Sequence, residues 1–309
     1  MIFRNEPGRE PEENTFGKVD FFVYEIAAID IDKMSYRVME YCSAKGFGGN
    51  LVLHQMDPED IPGYENGKLT SILYLIKGSS SQGIEIQYID GIDPQIKVTV
   101  PSYASWGDVA IAFGILTAIT EDNPECVVGI SENNNELRSF MVCDENRKVL
   151  YATRLNNIYN CIAGVPYNAF AILNGCNHKS VFAPIYEKFD SDDKQFWDFS
   201  QKAMQQFVKT QWAYEDYKTI PLEEITSPWG EPRTARAVNN EADTFVEVCQ
   251  YLVFINPSNG ESKNVPLDEF IRNFGDNPYL EHVDTLQFII HKMPDEEWMT
   301  MFDSLTAVL

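Results

Sequence analysis

Basic residues are scarce in this chain. Of its 309 residues, 24 are Lys or Arg and 47 are Asp or Glu, a formal net charge of −23. That balance argues against a nucleic-acid binder, because phosphate contacts need clustered Lys and Arg. Anionic membrane surfaces are disfavoured on the same ground. Cysteine is sparse as well. Cys42, Cys126, Cys143, Cys161, Cys176 and Cys249 are dispersed and form no C-x-x-C pair, which fits reduced thiols of a cytosolic protein better than a disulfide scaffold. Only four histidines are present, and none sits in an H-E-x-x-H pattern. No G-x-S-x-G elbow is present, since "GSSSQG" falls between two strands and opens no helix. The glycine-rich "KGFGGN" follows a helix, whereas a phosphate cradle follows a strand and opens one. Gly46 therefore reads as a C-cap.

Long hydrophobic runs are missing too. The most apolar stretch, Val109 to Ile119, has Thr117 as its one polar side chain and is followed by Glu121 and Asp122. As a helix it spans roughly 16 Å, about half of a bilayer core of ~30 Å, so it is too short to cross a membrane. The opening "MIFRNEPGREPEENTFG" lacks the basic start and apolar run of a signal peptide. Its Pro, Gly and Glu content predicts a flexible arm over residues 1–16.

What the chain does hold is 44% hydrophobic and 13% aromatic residues, ample for packed cores. Val19 to Ile29 reads as a strand, followed by a helix that Asp30 or Asp32 starts and Gly46 closes. Asn50 to Met56 and Leu69 to Lys77 read as buried strands. "GIEIQYI" and "QIKVTV" alternate apolar and polar residues, as antiparallel strands with one wet face do. The apolar helix comes next, with Ser105 and Asp108 at capping-box spacing. Its nearly all-round apolarity implies burial across that sheet. Further strands are expected at Cys126 to Ile130, Phe140 to Cys143, "YNAFAILN" and, as one long strand, Thr244 to Ile255; helices are expected at Leu150 to Cys161, Ser191 to Tyr217, "PLDEFIRNFG" and "PDEEWMTMFDSL". The expected fold is α+β, with mixed, mainly antiparallel sheets and helices on one face. Two α+β halves are expected, at residues 17–145 and 146–309.

Candidate chemistry is thin. His54 is followed by Asp57, Glu59 and Asp60, and His291 by Asp295, Glu296 and Glu297. Such groups can hold a divalent metal, but a strand-end histidine beside an acidic helix start explains them as well. Cys176 lies two residues from His178, with Cys161 upstream, and buried free thiols are usually inert. No catalytic residue and no cofactor is assigned. Candidate interaction residues are Trp197 and Trp212, which share one apolar stripe of a helix with Met204 and Val208, a pattern that a core face explains as well, and Arg233 and Arg236 in the expected loop "SPWGEPRTARAVNNEAD".

The segment "SSSQGIEIQYIDGIDPQIKVTVPSYASWGDVAIAFGILTAI" resembles a bacterial family catalogued as domain of unknown function 4299. The likeness lies in the strand Gly83 to Ile89, the strand Gln95 to Ser102 with its Val-Pro-Ser end, and the helix start with Trp106 and Asp108. The family order is Asp then Trp, where this chain has Trp-Gly-Asp. The resemblance implies a bacterial protein and no activity for any residue. Composition and the lack of a catalytic signature lead to the expectation of a non-enzymatic cytoplasmic protein that binds a basic protein partner, in an immunity-like or stress-associated role. The alternative is a hydrolase with a carboxylate or Cys–His site that no motif reveals.

Overall fold

The computed structural model describes residues 18–26, 30–47, 49–55, 69–89, 95–132, 136–163, 170–173, 179–182, 193–226, 231–283 and 287–307. The expected N-terminal arm, the acidic loop after His54, Cys176 and His178 lie outside these residues, as do the side chains of His54, Cys161 and Trp197. The fold is α+β, and the chain divides into two compact units, Met1–Cys161 and Ile162–Leu309. The expected boundary at 145/146 falls at the start of a helix, and the division comes near that helix's end.

The first unit is built on a seven-stranded sheet with the order β2-β3-β4-β5-β1-β6-β7. Its elements are β1 (Val19–Tyr24), α1 (Ile31–Ala44), β2 (Leu51–Gln55), β3 (Leu69–Ile76), β4 (Ile84–Ile89), β5 (Gln95–Val100), α2 (Trp106–Asp122), β6 (Val127–Glu132), β7 (Arg138–Ser139) and α3 (Asp144–Ala163). Every neighbouring pair is antiparallel. The alternation read from the sequence is the alternation of burial: Ile84, Ile86, Ile96, Val98 and Val100 enter the core with Val19, Phe21 and Val23 of β1. Residues 140–143, expected as a strand, are not one; Phe140 only donates its N–H to the Val128 carbonyl, 2.8 Å away, and turns its ring onto Phe21.

Helix α1 starts where Asp30 accepts the Lys33 N–H at 3.0 Å. It ends in a Schellman turn, with Gly46 at φ +90° and the Phe47 N–H on the Cys42 carbonyl. Met34, Val38 and Cys42, spaced by four, form its buried stripe. Helix α2 links β5 to β6, which flank β1, and it packs on α1 as well as on the sheet. Ile111, Phe113 and Ile115 are fully buried, so α2 is a core helix and not a partner-binding one.

The start of α2 is fastened by Asp108. Its carboxylate closes a capping box with Ser105 and also accepts the N–H groups of Ser81, Gln82 and Gly83 and the Ser81 hydroxyl, all at 2.9–3.1 Å. The "SSSQG" turn thus wraps the helix start. Gly107 makes this approach possible, because a Cβ there would lie 2.7 Å from the Ser79 carbonyl oxygen. The Trp-Gly-Asp order has that physical meaning.

The second unit begins with the hairpin β8 (Phe170–Leu173) and β9 (Lys179–Phe182), followed by α4 (Asp193–Asp216). It continues with β10 (Lys218–Thr219), β11 (Glu223–Thr226), β12 (Pro232–Val238), β13 (Thr244–Val246), β14 (Tyr251–Ile255), β15 (Ser262–Pro266), α5 (Leu267–Phe274), β16 (Leu280–His282), β17 (Phe288–Ile290) and α6 (Asp295–Ser304). Two four-stranded sheets result, β10-β13-β17-β16 and β11-β12-β14-β15. Each holds one parallel pair among antiparallel ones. The expected long strand over 244–255 is broken into β13 and β14, one in each sheet. Between them Glu247 pairs with Arg236 at 2.9 Å, and Gln250 accepts the Thr234 N–H at 3.0 Å. Side chains of both sheets meet in one aromatic core of Phe254, Phe270, Phe288, Trp298 and Phe302.

Candidate functional site

A set of four interacting ionisable side chains, Asp243, Glu281, His291 and Lys209, lies at the ends of β13, β16 and β17 and on α4. His291 follows β17 directly and donates its backbone N–H to the Tyr279 carbonyl at 2.9 Å. That fixes the ring between two carboxylates. Nδ1 lies 3.0 Å from Asp243 Oδ2, and Nε2 lies 3.2 Å from Glu281 Oε2. Each carboxylate is held a second time. Asp243 Oδ1 accepts the Lys292 N–H at 2.7 Å, and Glu281 Oε1 is 2.6 Å from the Lys209 ammonium on α4. Lys209 also donates to the His282 carbonyl at 2.6 Å, and the Tyr217 ring meets the imidazole edge-on at 6.2 Å.

The electrostatics follow from this order. The hydrogen bond to Asp243 raises the His291 pKa above its ordinary value, with Glu281 adding to it and partial burial opposing. Asp243 is lowered first by that same bond and then by the Lys292 N–H. Glu281 is lowered first by Lys209. A carboxylate facing each ring nitrogen favours the charged imidazolium, the form in which both nitrogens donate. A histidine acting as general base leaves one nitrogen free to meet a nucleophile or water; here Glu281 occupies that place. The carboxylates also approach opposite edges of the ring, so one metal ion cannot be shared by all three. Among the described residues no group of three or more His, Cys, Asp and Glu side chains is arranged to hold a metal.

The sequence pointed to His291 but to different acids. Asp295, Glu296 and Glu297 form the first turn of α6, while the residues that meet the ring are Asp243 and Glu281. Those two and Lys209 carry no local signal, because three separate elements bring them together.

The four candidate interaction residues are scattered within the second unit. Trp197 lies on α4, with its side chain outside the description. Trp212 is buried on the same helix, as are Ala203, Met204 and Phe207. Arg233 and Arg236 are on β12, where the sequence predicted a loop; Pro, Arg, Thr and Ala give that strand little β signal, and its two neighbours β11 and β14 create it. Arg233 is paired with Glu231. Arg236 is buried, donates to the Ile220 carbonyl and pairs with Glu247. Two thiols are equally enclosed, since burial pushes Cys42 and Cys249 each up to about 12, far from a nucleophile's range.

No protein-family model, no curated protein and no solved structure matches this chain. None of the helices described is long and apolar enough to cross a membrane.

Proposed function

We propose that the chain is a non-enzymatic cytoplasmic protein that binds a basic protein partner, in an immunity-like or stress-associated role. The observation that carries this reading is how the few cations are used. Lys33 and Arg37 are tied to Asp122, Lys45 to Asp144, Lys97 to Asp20, Lys209 to Glu281 and Arg236 to Glu247. With its cations paired in this way, a chain of net charge −23 presents a negative field to solvent. Such a field steers a basic partner and raises its association rate. Among the described residues, His291 is engaged by a carboxylate at each ring nitrogen and Cys42 and Cys249 are held as thiols, which supports the binding reading over the hydrolase one.

Affinity capture from the native cell at low and at high salt tests the proposal. The expected result is a set of basic proteins, well above the lysate average in pI, released as salt rises. Capture of nothing at either salt, or of proteins no more basic than the lysate, would overturn it.

A further inference from the structure

Two arginines on α3 are buried with N–H groups that nothing accepts. Arg154 is 1% exposed and Arg147 5%. They lie seven residues apart, two turns along one face of the helix, in the stripe that also buries Leu150, Leu155 and Ile158. Arg154 Nη1 donates to the Pro101 carbonyl at a long 3.3 Å, and its Nε has no hydrogen-bond partner. Arg147 lies over the Trp106 ring at 4.6 Å, and its Nε and Nη1 have no hydrogen-bond partner. Its Nε is 3.4 Å from Asp144, a carboxylate that Lys45 holds more closely at 2.7 Å. Desolvation drives the Arg154 pKa down to about 10, with the Glu132 carboxylate acting in the opposite direction.

Buried guanidinium N–H groups without an acceptor are anomalous in any protein. They are more so in a chain with nearly twice as many acids as bases. Lys45 holds Asp144 more closely than Arg147 does, and Glu132 acts on Arg154 only through its field, so neither carboxylate supplies the missing acceptors. The guanidinium fork matches planar oxyanions. The seam between α3 and the Pro101–Trp106 segment reaches solvent, since Pro101, Ser102, Trp106, Tyr151 and Asn157 are only partly buried. Its walls are set by the Tyr151 ring, 4.6 Å from Trp106, and by Asn157, which donates to the Ser102 carbonyl at 3.3 Å.

We propose that this seam is a binding site for a small oxyanion, a carboxylate or phosphate group, received by the unpartnered N–H groups of Arg154 and Arg147. The site is independent of the protein-partner reading and stands or falls without it.

The test is nitrogen-15 NMR of the arginine Nε–H groups in the full chain. Inorganic phosphate, succinate and sodium chloride are titrated in parallel at matched ionic strength. The expected result is a saturable shift of the Arg154 and Arg147 signals with phosphate or succinate and none with chloride. Saturation by phosphate alone assigns a phosphate ligand, and by succinate alone a carboxylate. Arg154→Lys keeps the charge but loses the fork, and should weaken binding about tenfold or more. Arg154→Gln should abolish the response. Equal, non-saturating shifts in all three salts would overturn the proposal. So would a saturable response that survives Arg154→Lys unchanged.

Discussion

Asp108→Asn is the substitution that most directly tests how the first unit is held together. The side chain is completely buried, and its two oxygens serve five donors, four of them outside the helix and its cap. Oδ2 accepts from the N–H groups of Ser81, Gln82 and Ser105 and from the Ser81 hydroxyl, and Oδ1 accepts from Gly83 at 3.1 Å. An asparagine can place its single oxygen where Oδ2 stood. Its amide nitrogen then faces the Gly83 N–H, donor against donor, and one buried donor is orphaned at about 1–3 kcal/mol. The four bonds that remain lose their charge assistance, which roughly halves each. A total of about 3–5 kcal/mol follows.

Because the chain has two compact units, a single unfolding curve would blur this effect. Cys42 and Cys249 separate them, since one thiol is buried in each unit's core. Alkylation under native conditions, followed by mass spectrometry, reports the opening of each unit through its own cysteine. In Asp108→Asn the Cys42 rate should rise by about two to three and a half decades, at about 1.4 kcal/mol per decade. The Cys249 rate should not change. A rise at Cys42 of less than about tenfold would refute the reasoning, because the orphaned donor alone predicts about that much.

Gly107→Ala should destabilise the first unit by about 1–3 kcal/mol, because the new Cβ would meet the backbone of Ser79 at 2.7 Å. Gly114→Ala should cost less, since its nearest contacts are 3.3 Å or more; denaturant midpoints that rank the two the other way would contradict this. Lys263→Met should cost about 1–2 kcal/mol by denaturant unfolding, because Lys263 donates to the Phe302, Asp303 and Leu305 carbonyls at the C-terminal end of α6. An unchanged midpoint would show that this cap is idle. The His291 clasp is about a third to nearly half exposed and should contribute under about 1 kcal/mol. His291 is held above its ordinary 6.5, so its contribution is complete below 6.5 and lost as pH rises through the raised value. Asp243 and Glu281 are held low, so theirs is complete above about 4.5 and lost as pH falls through the lowered values. The stability difference between the native chain and His291→Gln, measured across pH, should therefore peak between those limits. A difference that is flat, or that grows above neutrality, would be wrong for this geometry.

Legibility in the sequence tracks the distance over which a signal acts. The Asp30 cap, the Gly46 stop and the alternation in β4 and β5 are each decided within a few residues, and each is found where it is expected. The capping box of α2 is legible for the same reason, but only half of the Asp108 site is. Its other donors come from a turn more than twenty residues earlier, so turn and cap read as two ordinary features rather than one joint. The break between β13 and β14 fails for the converse reason. Its local pattern is a good strand, and partners on β12 impose the break.

The α3 arginines show what the pattern could still have yielded. Arg147 and Arg154 occupy helical positions in line with Leu150, Leu155 and Ile158. Two charged residues two turns apart in an apolar stripe contradict the amphipathic rule. In a functional protein such a contradiction marks either a paired charge or a waiting ligand. Glu132 acts on Arg154 through its field alone and nothing accepts from the Arg154 Nε, so the violation points outward, to an anion.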